Sequence, residues 1–289
     1  MLRAIARRYL VQFPFDLIYS AGSRMSHLLS VIDQRFESEW NDYVFKRSGN
    51  RVQVVTHPTG AGSIKFKIGA TNKVTDFRAR SFSSKEPETL KWLEKHCGEK
   101  LLFDIGANIG LYSIYFPKLG GGQVVSFECS PLNFGELVRN VNLNKLQEFI
   151  TIVPVALSSN QAIGKFLLGA EDVGAAESSF ENKIGYDGNE IEVKSKFSTI
   201  SLSIDTLLDL YPEIGIPNII KLDVDGNEEQ ILIGASRTLQ NRNLVSILCE
   251  VNPEIVSAGF NIGKILVAHG FILELNTKGN NQIWNRLRP

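Results

Sequence analysis

The sequence predicts an α/β protein whose mostly parallel sheet carries helices on both faces. From residue 101 onwards, apolar strand-like runs alternate with helical patterns, and the run at 101–105 leads directly into a glycine-rich turn. A second run, at 123–127, is followed by an acidic residue. Strands separated by helices pair in parallel through right-handed crossovers. We therefore expect a parallel sheet with a ligand site at its carboxyl edge.

The alternation predicts each element of this sheet in chain order. Strands are predicted at residues 101–105, 123–127, 150–157, 219–224, 245–251, 271–275 and 282–285. Helices are predicted at residues 109–119, 132–146, 204–211, 227–240 and 262–269. Residues 159–203, rich in Gly, Ser and Glu, interrupt the rhythm. We interpret them as an insertion with a hairpin turn at Asp187–Gly188, and we expect the insertion to shape a site.

An N-terminal extension precedes the sheet. Residues 1–48 show helical spacing. Residues 51–82 contain two β-like runs joined by a loop rich in glycine and proline, which predicts a small β-unit. Hydroxyl side chains at 83–84 followed by Pro87 predict the start of a helix. The expected organisation is an extension over 1–82 and a main domain over 83–289.

Composition argues against several classes of protein. Lys+Arg and Asp+Glu number 31 each in 289 residues, so no overall charge favours a nucleic-acid partner. The cysteines, Cys97, Cys129 and Cys249, lack the spacing of a zinc motif or a disulfide framework. Polar residues and a proline break the apolar N-terminal stretch, which predicts neither a signal peptide nor a transmembrane segment. A cytoplasmic location follows.

The first residues are basic and apolar in alternation. For residues 2–12 we favour a helix that packs on its own domain or on a partner subunit, so that an oligomer forms through the extension. The alternative is a basic amphipathic helix in peripheral contact with a membrane surface.

The turn after the first strand carries the strongest ligand signal. Asp104, Gly106 and Gly110 stand in the sequence DIGANIG. Glycine at such positions lets the backbone pass close to a ligand. A carboxylate in this turn repels a pyrophosphate, which argues against a nicotinamide dehydrogenase and favours a cationic ligand.

S-adenosylmethionine is such a ligand, because its ammonium and sulfonium groups are positive. Asp104 is expected to accept a hydrogen bond from the amino group, directly or through water. Glu128, about 20 residues beyond the turn, is expected to take both ribose hydroxyls. The alternative is that both acids only cap helices. It is disfavoured because they stand at the ends of adjacent parallel strands with a glycine turn between them.

Three ordered segments resemble a known family. DIGANIGLYS, SFECSPLNFGELVRNVNLN and IIKLDVDGNEEQILIGA resemble the FkbM-type S-adenosylmethionine-dependent methyltransferases, and SSKEPETLKWL resembles the family's lead-in helix. The resemblance covers roughly residues 78–275. It implies a Rossmann-like class I methyltransferase fold with a seven-stranded sheet. It also implies O-methylation of hydroxyl groups on sugars, glycans, glycolipids or polyketide-type metabolites.

The family pattern also implies roles for individual residues. It places Glu128 at the ribose and Ala156 beside the adenine, and Asp225 stands where the family has Glu, one methylene longer. The residues that it assigns to the first cofactor loop are Asp104, Gly106, Asn108 and Gly110.

A hydroxyl acceptor must lose its proton as its oxygen attacks the methyl group. Asp223 and Asp225, at the end of the fourth strand, and Glu250, near the end of the fifth, are the acids that we place on this rim. They are the candidate catalytic bases. A divalent metal held by the same three acids is a less favoured alternative, and a structural role at the following helix stays open for Asp225.

The histidines His57, His96 and His269 are rival bases. His96 and His269 stand at predicted helix ends and are interpreted as structural, whereas His57 reaches the site only if the β-unit folds over it.

The expected partner is a small-molecule, glycan or glycolipid acceptor. The alternative function is a non-catalytic binding or scaffold protein that keeps the fold and uses residues 159–203 for partner contacts.

Overall fold

The computed structural model describes residues 51–176, 178–183, 189–251, 256–276 and 280–287, with only the helical backbone for 256–260. The helices predicted in residues 1–48 and the turn predicted at Asp187–Gly188 lie outside the described residues. Among those described, no helix is both long and apolar enough to cross a bilayer.

Strands and helices alternate along most of the described chain. The strands are β1 Val52–Thr59, β2 Gly62–Gly69, β3 Leu101–Ile105, β4 Gln123–Phe127, β5 Ile150–Val153, β6 Ala156–Leu157, β7 Ala162–Leu168, β8 Ser178–Phe180, β9 Ser195–Leu202, β10 Ile219–Leu222, β11 Ser246–Glu250, β12 Phe271–Asn276 and β13 Asn281–Arg286. The helices are α1 Lys73–Lys85, α2 Pro87–Lys95, α3 Leu111–Lys118, α4 Pro131–Asn144, α5 Ile204–Leu210, α6 Glu228–Ile233, α7 Ser236–Gln240 and α8 Val256–Ala268, with a 3-10 turn at Pro212–Ile214.

The main sheet has seven strands in the order β12-β13-β11-β10-β3-β4-β5. Five consecutive strands, from β11 to the edge strand β5, run parallel, and β13 pairs antiparallel with both β11 and β12. This arrangement confirms the predicted seven-stranded, mostly parallel sheet. The strand order reverses at β3, since β4 and β5 continue to one side and β10 and β11 to the other, and ligands bind at such a reversal.

The register of the central strands brings three predicted segments together. Ile105 pairs with Phe127 on β4 and with Leu222 on β10. The residues that follow these strands therefore leave the sheet side by side, and the glycine turn, Glu128 and Asp223 meet at one edge.

Apolar side chains cover both faces of the sheet. On one face, Phe66 of the β1–β2 hairpin, Trp92 of α2 and Tyr115 of α3 belong to one buried cluster. On the other, residues of α5 to α8 pack with the sheet in a second cluster. Trp92 Nε1 donates a hydrogen bond of 2.9 Å to Ser246 Oγ, which fixes α2 on β11. The β1–β2 hairpin thus packs into the same core as the sheet.

The predicted β-unit ends earlier than expected. β-Structure stops at Gly69, and the prediction that it continues to residue 82 is wrong, because α1 occupies 73–85. Asn72 caps this helix by accepting from the Thr75 amide at 2.8 Å, and Thr75 Oγ1 accepts from the Asn72 amide at 3.0 Å. Ser83 and Ser84 consequently lie in the last turn of α1 rather than at a helix start. The next helix begins at Pro87, as predicted.

Two other predicted elements are divided in the structure. The strand expected at 150–157 breaks at Pro154, and β6 leaves the main sheet to join the order β6-β9-β7-β8. The insertion is thus a small sheet of its own beside the main one. The helix expected at 227–240 is split into α6 and α7 around Gly234, where a Cβ atom would lie 2.2 Å from the Ser158 carbonyl oxygen.

Candidate functional site

A cavity of about 460 Å³ lies at the carboxyl edge of the main sheet, where β3, β4, β10 and β11 end. Most of the predicted site residues line it: Gly106, Asn108, Glu128, Ala156, Asp223, Asp225 and Glu250. The other two, Asp104 and Gly110, are part of the wall behind it. The register of the strands therefore brings most of the predicted site together.

Neighbouring atoms of the protein leave no room for a side chain at two positions of the glycine turn. Gly106 has φ +80°, and a Cβ atom there would lie 1.8 Å from the Asp223 carbonyl oxygen. Gly110 has φ +84°, and its Cβ atom would lie 2.2 Å from Leu137 Cδ1 on α4. The first glycine lets β3 and β10 end side by side, and the second lets α3 pack closely on α4.

Asp104 lies beneath the turn and is fully buried. Its Oδ2 atom accepts a hydrogen bond of 2.5 Å from Ser113 Oγ, which in turn accepts from Ser126 Oγ at 2.8 Å. Among the described residues, no group donates to its Oδ1 atom. Burial raises the pKa of Asp104, although the charge of Lys221 opposes this effect. A buried acceptor without a partner is the kind of atom that a ligand or an ordered water satisfies.

Glu128 faces the cavity from the end of β4. Its Oε2 atom accepts from the Asn108 amide at 2.8 Å, and its Oε1 atom accepts from the Ser130 amide at 2.7 Å. Burial raises its pKa to about 7, and the two amide hydrogen bonds limit that rise. Each carboxylate oxygen can accept more than one hydrogen bond, so both remain able to receive a hydroxyl donor from a ligand.

Asn108 contacts the insertion through its side chain. Its φ of 52° places it in the left-handed region, and its Oδ1 atom accepts from the Ile109 amide at 2.9 Å. Its Nδ2 atom donates to the Ala175 carbonyl at 2.9 Å. Asn108 therefore supports the segment that covers the cavity.

That segment, residues 172–176, is named the strap. Asn72 Nδ2 donates to the Val173 carbonyl at 2.8 Å, and the Gly174 amide donates to Asn133 Oδ1 at 2.7 Å. Ala175 and Ala176 face the cavity. The strap thus connects the start of α1 with the start of α4 across the cavity.

The insertion also reaches the opposite wall. Asn227 Nδ2 donates to the Phe180 carbonyl at 2.6 Å, and Phe166 and Phe180 line the cavity beside Ala156. The expectation that this insertion shapes the site agrees with these contacts.

Asp223 carries an ion pair that the sequence analysis did not anticipate. Lys221 Nζ lies 2.6 Å from Asp223 Oδ2 and 5.0 Å from the centre of the Tyr112 ring. Burial lowers the pKa of Lys221, but the charges of Asp223, Asp104 and Glu86 outweigh it and hold that pKa above its usual range. The signal was present in the sequence, since a lysine inside the apolar strand IIKL has to be paired.

Glu250 and Asp223 form a hydrogen-bonded pair at the ends of β11 and β10. Burial and then the charge of Asp223 raise the pKa of Glu250 well above its usual range. Burial also acts to raise the pKa of Asp223, but Lys221 and the hydrogen bond from Glu250 hold it below its usual value. Both effects favour the proton on Glu250 and the negative charge on Asp223.

The three rim acids do not form a metal centre with one another. Within the described residues, no group of three or more His, Cys, Asp or Glu side chains is arranged to hold a metal ion. Asp225 has φ 54°, and its Oδ2 atom accepts from the Ser178 amide at 3.4 Å.

The three rival histidines lie elsewhere. His57 contacts Ser83 Oγ at 2.9 Å and Glu94 Oε1 at 3.2 Å, and it bridges the β1–β2 hairpin to α1 and α2. His96 ends α2, and His269 Nδ1 lies 2.8 Å from the Ile265 carbonyl near the end of α8. None of these described histidines lines the cavity.

Two cations on α1 complete the wall. Arg78 and Lys85 line the cavity, together with Glu86. Neither was predicted as a site residue, because the segment of Arg78 was interpreted as β-structure and Lys85 was placed in the start of the next helix. Arg78 and Lys85 are seven residues apart, a separation that puts two side chains on the same face of a helix. The spacing therefore indicates a shared cationic face once the segment is known to be helical.

Comparison with known proteins identifies a family and several relatives. A model of the methyltransferase FkbM domain matches residues 104–280, more than half of the chain. Hexuronic acid methyltransferase AglP of Haloferax volcanii is 25% identical over 197 residues, which cover 67% of this chain and 74% of that protein. Methyltransferase sdnD of Sordaria araneosa is 27% identical over 157 residues, 46% of this chain and 59% of that protein.

Solved structures are similar over a comparable length. Magnesium protoporphyrin IX methyltransferase from Synechocystis PCC 6803 is 14% identical, with a TM-score of 0.42, over 75% of this chain and 85% of that chain.

Proposed function

The chain belongs to the FkbM methyltransferase family, and from this premise we propose that it transfers a methyl group from S-adenosylmethionine to a hydroxyl group of a sugar, glycan or glycolipid. One observation supports the proposal most strongly. Glu128 and the Asp223–Glu250 pair line the same cavity, at the ends of different strands. Glu128 is suited to the ribose hydroxyls of a nucleoside. The Asp223–Glu250 pair is suited to the positive sulfonium and to the hydroxyl group that accepts the methyl.

The adenosine part of the cofactor fits the β4 side of the cavity. Phe127, Ala156 and Leu157 provide an apolar wall there, and Glu128 provides two acceptor oxygens for the ribose hydroxyls. Asp104 has an oxygen without a donor among the described residues, which suits an amino group reached through water. When bound, S-adenosylmethionine supplies an electrophilic methyl group on its sulfonium.

The charges on the β10 side suit a cation. Asp223 keeps its negative charge at neutral pH because Lys221 and Glu250 stabilise it. Asp225 and Glu86 add carboxylates to the same wall. Fixed negative charges in a partly enclosed site stabilise a positive ligand more strongly than the same charges do in water.

Among the three rim acids, Asp225 is the proposed proton acceptor. Asp223 has a lowered pKa and is a weak base, while Glu250 already carries a proton. The Asp223–Glu250 pair is better suited to orienting the acceptor, since it offers both accepting and donating oxygens. Asp225 is held at a positive φ, a costly backbone conformation for a residue other than glycine.

The polar wall and one relative support the proposed class of acceptor. Asp225, Asn227 and Asn280 offer carboxylate and amide groups of the kind that bind sugar hydroxyls, with Phe180 as an apolar surface beside them. One relative of the chain is a hexuronic acid methyltransferase. A hydroxyl-bearing sugar is the proposed acceptor on both grounds.

A methyl-transfer assay tests the proposal. S-adenosylmethionine with a tritiated methyl group is incubated with the protein and with a panel of free sugars, glycolipids and oligosaccharides, and labelled products are identified by mass spectrometry. We expect an O-methylated sugar. We expect Asp225→Asn to lower kcat by roughly 10²- to 10⁴-fold with unchanged affinity for S-adenosylhomocysteine. Asp209→Asn, at an exposed acid outside the cavity that pairs with Arg237 at 2.6 Å, is the matched control.

Two outcomes contradict the proposal. One is label on nitrogen or carbon and on no oxygen. The other is full activity of Asp225→Asn, which removes the assigned proton acceptor while leaving methyl transfer itself intact.

A further inference from the structure

Arg78 on α1 stands at the junction of two cavities. It lines the main cavity and also a smaller one of about 50 Å³ between α1 and the glycine turn. Gly106, Lys85 and Asp223 line both as well. The two cavities therefore share the wall formed by α1 and the glycine turn, and Glu128 lines only the larger one.

A hydrogen bond orients the guanidinium group of Arg78. Its Nε atom donates to the Gly174 carbonyl of the strap, which leaves the two terminal nitrogens as a pair of parallel donors. In the part of the chain that the structure describes, no carboxylate lies within 4.0 Å of this guanidinium. A cation at the wall of a cavity, without an acid beside it, is suited to an anionic group of a ligand.

Lys85, the other cation of this wall, is already compensated. Its Nζ atom lies 3.2 Å from Glu86 Oε1, and its charge contributes to the lowered pKa of Asp223. Lys85 therefore balances acids of the protein, and the two cations of α1 have different surroundings.

We propose that Arg78 binds the α-carboxylate of the cofactor's methionine part through its two terminal nitrogens. This inference rests on the proposed cofactor. An amino-acid group carries one carboxylate and one ammonium, and the smaller cavity presents a matching set of charges. Glu86, together with Asp104 reached through water, suits the ammonium, and Arg78 suits the carboxylate. Paired parallel hydrogen bonds between a guanidinium and a carboxylate add both affinity and orientation.

Isothermal titration calorimetry on the full chain tests this assignment. S-adenosylhomocysteine is compared with its decarboxylated form, which keeps the adenosine, the thioether and the amine but has no carboxylate. We expect Arg78→Met to weaken S-adenosylhomocysteine binding by roughly 10- to 100-fold, the usual effect of losing hydrogen bonds to a charged group. Binding of the decarboxylated ligand should change less than threefold. Arg78→Lys, which keeps the charge and loses the fork, should give an intermediate loss for S-adenosylhomocysteine alone.

Two matched variants control for effects on the helix. Arg80→Met alters a cation of α1 whose side chain is 62% exposed and pairs with Asp76 at 2.7 Å, and it should leave both affinities unchanged. Lys85→Met should affect the two ligands equally.

The outcomes separate this inference from the proposed function. Equal losses for both ligands in Arg78→Met and Arg78→Lys, or no loss in either, overturn the assignment of Arg78. A loss specific to the carboxylate-bearing ligand in Lys85→Met, with none in Arg78→Met, also overturns it. Failure of folded wild-type protein to bind S-adenosylhomocysteine contradicts the proposed cofactor instead. Wild-type protein that prefers S-adenosylhomocysteine over the decarboxylated form, with that preference lost in Arg78→Met, supports the inference.

Discussion

Lys221 Nζ lies 2.6 Å from Asp223 Oδ2, and this ion pair between a buried lysine and a partly exposed aspartate sets the charge of the candidate site. Lys221 is 1% exposed, with Asp104 beneath the turn and Tyr112 against its ammonium group. One buried cation therefore balances acids that reach the cavity from different strands. The pair keeps Asp223 ionised and allows Glu250 to retain a proton beside it.

Removal of Lys221 should destabilise the fold. Lys221→Met leaves Asp223 without its partner and Asp104 without the charge that limits its pKa. Breaking a buried pair in this way costs about 3–5 kcal/mol. We expect that decrease in the free energy of unfolding, measured by urea denaturation monitored by circular dichroism.

A second change should restore part of that loss. Asp223→Asn in the Lys221→Met background removes the unpaired charge and should recover more than 1 kcal/mol, an order of magnitude taken from buried charge pairs. A Lys221→Met protein within about 0.5 kcal/mol of wild type, the range of ordinary surface substitutions, would show that the pair does not organise this edge of the sheet.

Gly106 should tolerate no side chain, and Gly120 gives a matched control. Both have positive φ, +80° and +86°. A Cβ atom at Gly106 meets the Asp223 carbonyl, whereas nothing lies within 4 Å of one at Gly120. Gly120→Ala should therefore cost only the roughly 1–2 kcal/mol of a left-handed alanine, with S-adenosylhomocysteine binding unchanged.

Gly106→Ala should cost more than Gly120→Ala in urea denaturation, and calorimetry should detect no binding of S-adenosylhomocysteine. Equal costs and equal affinities in the two variants would mean that the close approach of β3 and β10 has no role in the site.

Affinity for the cofactor should depend on pH through Glu128. Its pKa is about 7 without ligand because it is buried, and the ribose hydroxyls need the ionised form as acceptor. Binding then releases a proton below pH 7, so the Kd for S-adenosylhomocysteine should rise by about tenfold per pH unit below that value and level off above it. Calorimetry from pH 5.5 to 8.5 measures this profile.

Two variants show whether Glu128 or Glu228 causes the pH dependence of cofactor affinity. Burial also raises the pKa of Glu228 to about 7, but Glu228 does not line the cavity. Glu128→Gln should weaken binding at pH 8 and flatten the profile, while Glu228→Gln should keep it. A pH dependence that survives Glu128→Gln would assign the titration to another group.

The ligand-free protein should lose stability as the pH rises from 5 to 8. Glu128 and Glu228 have folded-state pKa values of about 7, above the ordinary value of 4.5. The folded state therefore binds their protons more tightly than the unfolded state does. The stabilisation is complete below pH 4.5 and is lost as the pH passes 7. Urea denaturation should show a higher free energy of unfolding at pH 5.5 than at pH 8.

The double variant Glu128→Gln, Glu228→Gln tests the cause of this dependence. It should reduce the difference between pH 5.5 and pH 8, and Glu250, whose pKa burial also raises, accounts for a remaining part. An unchanged or reversed pH dependence in the double variant would contradict the assignment to these two acids.

The sequence predicted the central sheet well because local signals marked it. The strands 101–105 and 123–127 have the predicted bounds, since each apolar run is closed by a turn or an acid. The helix α1 was missed because its sequence, KVTDFRARSFSSK, contains only scattered apolar residues, and its capping box at Asn72 and Thr75 went unrecognised.

The candidate site was predictable only where strand ends define it. Glu128, Asp223 and Glu250 follow or end parallel strands, so their neighbourhood follows from topology alone. The partner of Asp223 and the position of Arg78 depend on tertiary packing. Alternation in a strand puts Lys221 and Asp223 on the same side, but only the fold buries that side against Tyr112 and the glycine turn.

The most direct test of the account is calorimetric titration of wild-type protein and of Glu128→Ala with S-adenosylhomocysteine at pH 8, with circular dichroism to confirm folding. We expect micromolar binding by wild type and at least a tenfold loss in the variant, consistent with removal of hydrogen bonds to a charged group. Folded wild-type protein that binds no S-adenosylhomocysteine, or a Glu128→Ala variant with unchanged affinity, would contradict it.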